Sequence, residues 1–140
     1  MLRALSIAAA CALGCASLTL GVAAAKPKHG GTAMKGRTKQ GRVIHLARHH
    51  RTVQLKHFSI QLRCHDGSVL IDTESGFLPT PVKAGGRLHD HQVGSTDDVW
   101  LRGKLHGRVV RGKIRVHDRV GKIRCDSRWV PFHARAGKGG

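Results

Sequence analysis

Phe58-Ser59-Ile60-Gln61-Leu62-Arg63-Cys64 is the stretch on which the fold turns. Apolar and polar residues alternate along it, so Phe58, Ile60, Leu62 and Cys64 share one face while Ser59, Gln61 and Arg63 share the other. A period of two describes a half-buried β-strand with one wet, basic face. His57 continues the wet face, and the phase places Cys64 on the dry one. His65-Asp66-Gly67-Ser68 follows, and Asp-Gly is the signature of a tight hairpin turn. Val69 to Thr73 then forms the returning strand.

The same period extends outward in both directions. Upstream, Arg42 to Ala47 alternates, His49 to Arg51 turns, and Val53 starts the long strand. Downstream, Ser75 to Thr96 is looser and holds Pro79, Pro81, Gly85-Gly86 and Gly94, all turn-formers. A short strand at Gly86 to His89 fits within it. Then comes a meander of Val99 to Leu105, Val109 to His117, Lys122 to Cys125 and Trp129 to Ala134. Its turns fall at Leu105-His106-Gly107-Arg108 and Asp118-Arg119-Val120-Gly121. Pro131 belongs on an edge or at a bulge. Short strands with Gly-rich turns and no helical run predict an all-β, single-domain antiparallel sandwich or flattened barrel.

The chain starts with the layout of a secretory signal. Arg3 precedes an apolar run from Ala4 to Val22, and Ala23-Ala24-Ala25 supplies small residues before Lys26-Pro27. The expected organisation is a signal over 1–25, a flexible segment over 26–30, a β domain over 31–135 and a flexible tail over 136–140. Two alternatives stand beside it. The run is long enough to span a bilayer if uncleaved, and Cys15 is a candidate for a lipid anchor, though Ala12-Leu13-Gly14 is a poor lipoprotein box. No later segment is apolar enough to cross a membrane. The expected location is secreted or associated with the cell envelope.

Export decides the cysteines. Cys11 and Cys15 leave with the signal, and Cys64 and Cys125 remain as an even pair in an oxidising compartment, which predicts one disulfide. Closing so long a loop stabilises by about 4 kcal/mol through loop-closure entropy. Leu62-Arg63-Cys64-His65-Asp66 and Ile123-Arg124-Cys125-Asp126 echo each other, each Cys ending an alternating strand. Two such strands facing each other across a core would bring the sulfurs together.

Charge narrows the choice of partner. The full chain carries 25 Lys and Arg against eight acids, a formal charge of +17, which falls to +16 when Arg3 leaves. So positive a field attracts polyanions, and those open to an exported protein are envelope polymers, anionic headgroups, acidic polysaccharide and extracellular DNA. Arg63, Arg102, Lys104, Arg111, Lys113 and Arg115 are the candidate anion-binding residues. With few aromatics to stack bases and no helix-turn-helix or zinc-finger spacing, specific nucleic-acid recognition is not expected.

The Gln40-Gly41-Arg42 start, the Phe58-x-Ile60-x-Leu62-Arg63-Cys64-x-Asp66-Gly67-Ser68 strand and turn, Gly112-x-Ile114-x-Val116 and the closing Cys125-Asp126-Ser127-x-Trp129-x-x-x-x-Ala134 together resemble a family of small secreted β-domain proteins of soil actinobacteria. The resemblance covers roughly Gly31 to Ala134. It implies an exported β fold and no assigned activity. This chain departs from the family pattern in its richness in His and in His49-His50-Arg51, where a small Gly or Ser turn is usual.

Catalytic patterns are weak. His65-Asp66, His89-Asp90 and His117-Asp118 are neighbours in sequence, and neighbours in a strand point to opposite faces. No nucleophile elbow accompanies them. Asp72 and Glu74 are a carboxylate pair two residues apart. They suit a hydrolase only if they line a cleft, and their simpler role is counter-charge to nearby Arg. Asp97-Asp98 reads as a turn. Trp100 and Trp129 read as core or core-edge residues. His89 and His91, at a spacing that shares a strand face, are the candidate metal ligands, although their Pro/Gly-rich surroundings favour a loop. No cofactor is implied. The resulting expectation is a non-catalytic exported domain that binds an anionic polymer or cell-surface component, with a His-based metal-binding protein and a carboxylate hydrolase as alternatives.

Overall fold

The structure, a computed structural model, describes residues 31–137. The expected signal, Cys11 and Cys15, the 26–30 segment and residues 138–140 lie outside the described residues. Ten strands follow in order: β1 (Thr32–Thr38), β2 (Val43–His49), β3 (Thr52–Cys64), β4 (Val69–Ser75), β5 (Pro79–Pro81), β6 (Arg87–Val93), β7 (Asp97–His106), β8 (Val109–Val120), β9 (Ile123–Asp126) and β10 (Val130–Ala136). Every strand pairing is antiparallel. Among the described residues no helix is long and apolar enough to cross a membrane.

Two long strands organise the molecule, and each changes partner along its length. One edge of β3 pairs β2 and then β9, while its other edge pairs β5 and β4. One edge of β8 pairs β10 and then β9, while its other edge pairs β7, which carries β6. Between β3 and β8 there are thus three strands (β2, β1, β10) at one end and a single strand (β9) at the other. The result is a barrel that tapers from a wide end to a narrow one. Its far side is joined by side chains in place of a ladder. Thr80 Oγ1 donates to Asp90 Oδ2 at 2.8 Å, and the Gln92 amide accepts from Leu78 N–H and donates to Leu78 O.

The inner face is the alternating set. Phe58, Ile60 and Leu62 are fully buried and meet Ile44, Leu46, Val110, Ile114, Val116 and Phe132 in one core. A register shift between His45 and Leu46 leaves Lys56 as the extra residue of a bulge, so Val53 and Leu55 also point inward. Gly103 and Gly112 oppose each other under the Phe132 ring. A Cβ on Gly112 would strike the Arg102 carbonyl and that ring, so the close approach of β7 and β8 demands glycine here.

Cys64 and Cys125 form the expected disulfide. The geometry differs from the expectation of two strands facing across a core. The cysteines are direct partners on adjacent strands, with Cα atoms 3.9 Å apart. β9 offers β3 only the Arg63–Asp126 and Cys64–Cys125 pairs, so the covalent bond fastens the shortest ladder of the narrow end.

Several boundaries move. β1 lies where no strand was expected, and β5 and β6 lie inside the stretch read as loose. β6 runs through Val93, so His89 and His91 occupy a strand and not a loop. Asp97 and Asp98 open β7 and are not a turn. β8 continues to Val120, and β10 reaches Ala136, which is buried. Pro131 sits in an interior strand, not on an edge. It is the second residue of β10, and its carbonyl accepts from the Lys39 N–H where β1 ends.

Candidate functional site

The outward faces of the wide end carry three rows of side chains across the strands. The first follows the register Arg87, Lys104, Arg111, His133, Arg37. The second follows His89, Arg102, Lys113, Pro131. The third follows His106, Val109, Arg135, Lys35, His45, His57. Neighbours within a row are about 4.8 Å apart and rows are about 6.7 Å apart, from strand spacing and rise. Their eight Lys and Arg are all exposed, and none has an ion-pair partner among the described residues. No acid falls in any of the three rows.

Of the six expected anion-binding residues, four form the centre of this surface. Arg102 opposes Lys113, and Lys104 opposes Arg111. Arg102 also lies 4.9 Å over the Trp129 ring, which fixes its guanidinium and leaves its edge to solvent. The other two are elsewhere. Arg63 pairs in register with Asp126, and Arg115 turns its guanidinium onto Asp126 with Nε to Oδ1 at 3.1 Å and Nη2 to Oδ2 at 2.8 Å. Sequence reasoning missed Lys35, Arg37, Arg87 and Arg135. The alternation of Arg135 with His133 was visible, but β1 was not.

The narrow end is organised by Asp126. Besides Arg115 it accepts the Arg128 N–H at 2.8 Å and lies 3.3 Å from His117 Nε2. Burial opposes its charged form, but the bonds from Arg115 and the Arg128 N–H, with the charges of His117 and Arg115, outweigh that and hold its pKa below the ordinary value. Arg128 takes a left-handed conformation, φ 57°, which turns the chain from β9 into β10. The Ser127 hydroxyl accepts from Val116 N–H and donates to the Arg128 carbonyl. Gln40 reaches the same region: its amide accepts from Gln61 N–H at 2.8 Å and donates to Gln61 O at 3.0 Å, standing in for a strand in the gap between β2 and β9. An open cleft of about 980 Å³ lies here, with Arg63, His65, Arg119, Arg124 and Arg128 facing Asp97, Asp98 and Asp126.

Carboxylates gather on the seam between β4 and the β6–β7 turn. Asp72 and Glu74 project from the inner face of β4 toward Asp97 and Asp118, themselves a β7–β8 pair. They line a cavity of about 470 Å³ with Phe77 and Gln92. The expectation of counter-charge to Arg is therefore corrected: these carboxyls face one another. Burial first, then the hydrogen bond and charge of Asp72 and the charge of Asp97, push Glu74 up to about 9. Burial, followed by the charges of Asp72 and Asp97, raises Asp118 against the lowering effect of the Arg119 N–H. Asp72 and Glu74 lie side by side on the inner face of β4, and Asp72 Oδ2 is buried without a hydrogen-bond partner.

His89 and His91 share the exposed face of β6. His91 stacks on Trp100, with centroids 4.5 Å apart and planes 8° apart, and its Nε2 lies 3.2 Å from Asp98. His117 meets the other side of Trp100 edge-on at 4.8 Å. Trp100 is thus a half-buried residue of the outer face and not part of the core, and half-buried Trp129 lies beneath Arg102. No group of three or more His, Cys, Asp or Glu stands in metal-binding array among the described residues.

Compared with known proteins, the chain matches no family model, no curated protein and no solved structure.

Proposed function

We propose that the protein is an exported, non-catalytic β domain that binds anionic polymers of the cell envelope or the extracellular medium through the outward rows of its wide end. The observation that carries this reading is the absence of any acid from three adjacent rows that hold eight Lys and Arg. The screening length in physiological salt is about 8 Å, longer than the distance between neighbouring cations here. They therefore repel one another, and a repeating polyanion relieves that repulsion along several contacts at once. A surface of this extent suits a chain of phosphates, sulfates or carboxylates, with no pocket needed for a single small ligand.

Retention on immobilised heparin and on vesicles with anionic headgroups tests the reading. The expected result is elution from heparin above physiological salt, with the logarithm of the affinity falling linearly with the logarithm of salt concentration. Elution below physiological salt removes the proposal.

A further inference from the structure

We propose that the free edge of β4 is a docking site for an extended cationic segment of another protein, which joins the sheet there as an added strand. β4 pairs only β3, through seven consecutive residue pairs without a register shift. The bond from Cys64 N–H to Ser68 O fixes the phase. Leu70, Asp72 and Glu74 direct their main-chain groups to β3, so Val69, Ile71, Thr73 and Ser75 direct theirs away, where no strand pairs with them among the described residues.

Exposed edges are ordinarily blocked by Lys, Pro, bulges or covering segments. The other edges of this molecule follow that rule. β5 carries Pro79 and Pro81. β6 carries Arg87 and is tied to the preceding segment through Thr80–Asp90 and Gln92–Leu78. β4, with the sequence VLIDTES, has no Lys, Pro or bulge; what guards its edge is the inward-pointing carboxyl pair Asp72 and Glu74, a guard that a cationic strand would neutralise. An edge guarded only by carboxyls accepts a cationic strand, with main-chain bonds supplying affinity and alternate side chains supplying choice of partner.

Charge identifies the occupant. In a chain of formal charge +17, half of the eight acids line the cavity beside this edge. Asp72 Oδ2 is buried without a hydrogen-bond donor. Burial first, and then the crowding of Asp72 and Asp97, raises the pKa of Glu74. On the opposite face of β4, Val69 is 57% and Ile71 42% exposed. An incoming strand that alternates Lys or Arg with apolar residues would set its cations over the carboxyls and its apolar side chains beside Val69 and Ile71. Pairing β4 with β4 of a second copy would instead add four more carboxyls to the same seam.

The probe is an end-blocked seven-residue peptide of alternating Lys and Val, matched to the length of β4. Titration should give saturable binding, with amide exchange at Val69, Ile71, Thr73 and Ser75 slowed by about tenfold or more. Thr73→Pro deletes an outward N–H without cutting the β3 ladder and should weaken binding by about tenfold. If that variant does not fold, exchange in the unmodified protein decides the matter. No saturable binding, equal binding of a Glu/Val peptide, or protection elsewhere overturns the proposal. So does dimerisation that protects the same amides without peptide. Peptide binding should survive replacement of Arg102, Lys104, Arg111 and Lys113 by Gln, so this proposal and polyanion binding stand or fall separately.

Discussion

The wide and narrow ends of the barrel are built from the same long strands and carry opposite arrangements of charge. Passing along the outer face of β7 from the wide end, one meets His106, Lys104, Arg102, Trp100 and then Asp98. At the wide end cations stand beside cations and have no ion-pair partner among the described residues. At the narrow end Arg115 and His117 close on Asp126, and the seam beside them collects Asp72, Glu74, Asp97 and Asp118. The composition alone is that of a uniformly basic protein. The strand register turns it into a dipolar one, with acids gathered among the cations where the sheet narrows and cations without acids where it broadens.

The largest expected effect breaks the narrow end. Replacing Cys64 and Cys125 by Ser should cost about 4 kcal/mol, because the loop they close spans 61 residues and β9 has only two ladder pairs with β3. Urea unfolding measures the loss. Hydrogen exchange should localise the added opening to β9 and the end of β3, leaving β1, β2 and β10 protected.

Asp126→Ala should cost about 2 kcal/mol, since it leaves the Arg115 guanidinium and the Arg128 N–H without their acceptor. Chemical denaturation of this variant beside Asp98→Ala separates the two acids of the outer face. Asp98 meets only His91 and is the more exposed, so its loss should be smaller.

Glu74→Gln tests the seam. Glu74 keeps its proton in the fold up to about 9, whereas in the unfolded chain it ionises at the ordinary carboxyl value of 4.5. Its contribution to stability is therefore greatest in acid and falls as pH rises from about 4.5 to about 9. Glutamine removes that decline. The site is half exposed and solvent screens the effect, so the gain above pH 8 should be about 1 kcal/mol. Thermal unfolding across pH reads it as a flatter profile for the variant.

The smallest effect belongs to the wide end. His50 turns β2 into β3 at φ 46°, a conformation that costs a side-chain-bearing residue energy. His50→Gly should raise stability by about 0.5–1 kcal/mol in the same unfolding assay and leave polyanion binding unchanged.

What could be foreseen from sequence follows from how each residue is buried. β3 was legible because its inner face is unbroken Phe58, Ile60, Leu62, and the Asp66-Gly67 turn fixed its hairpin. β1 was not, because Met34 is its only large apolar residue and its inner face otherwise holds Gly36 and Thr38. Only the start of β6 was legible, as the short strand at Gly86 to His89; the rest was concealed by Asp90 and Gln92, polar residues that point inward because they bridge to the Phe77–Thr80 segment. Arg102, Lys104, Arg111 and Lys113 were visible as alternation within two neighbouring strands. The convergence of Asp72 and Glu74 with Asp97 and Asp118 was not, because it depends on a contact across the seam between strands that never pair. The disulfide was foreseen from compartment and parity, but its place between adjacent strands required the register.

The central claim is that position, and not total charge, makes the wide end a polyanion surface. The direct test compares two variants with the same net charge on immobilised heparin. One replaces Arg102, Lys104, Arg111 and Lys113 by Gln; the other replaces Arg119, Lys122, Arg124 and Arg128 by Gln at the narrow end. The account predicts that the first elutes at much lower salt than the unmodified protein and that the second elutes close to it. Equal shifts for the two variants would contradict it.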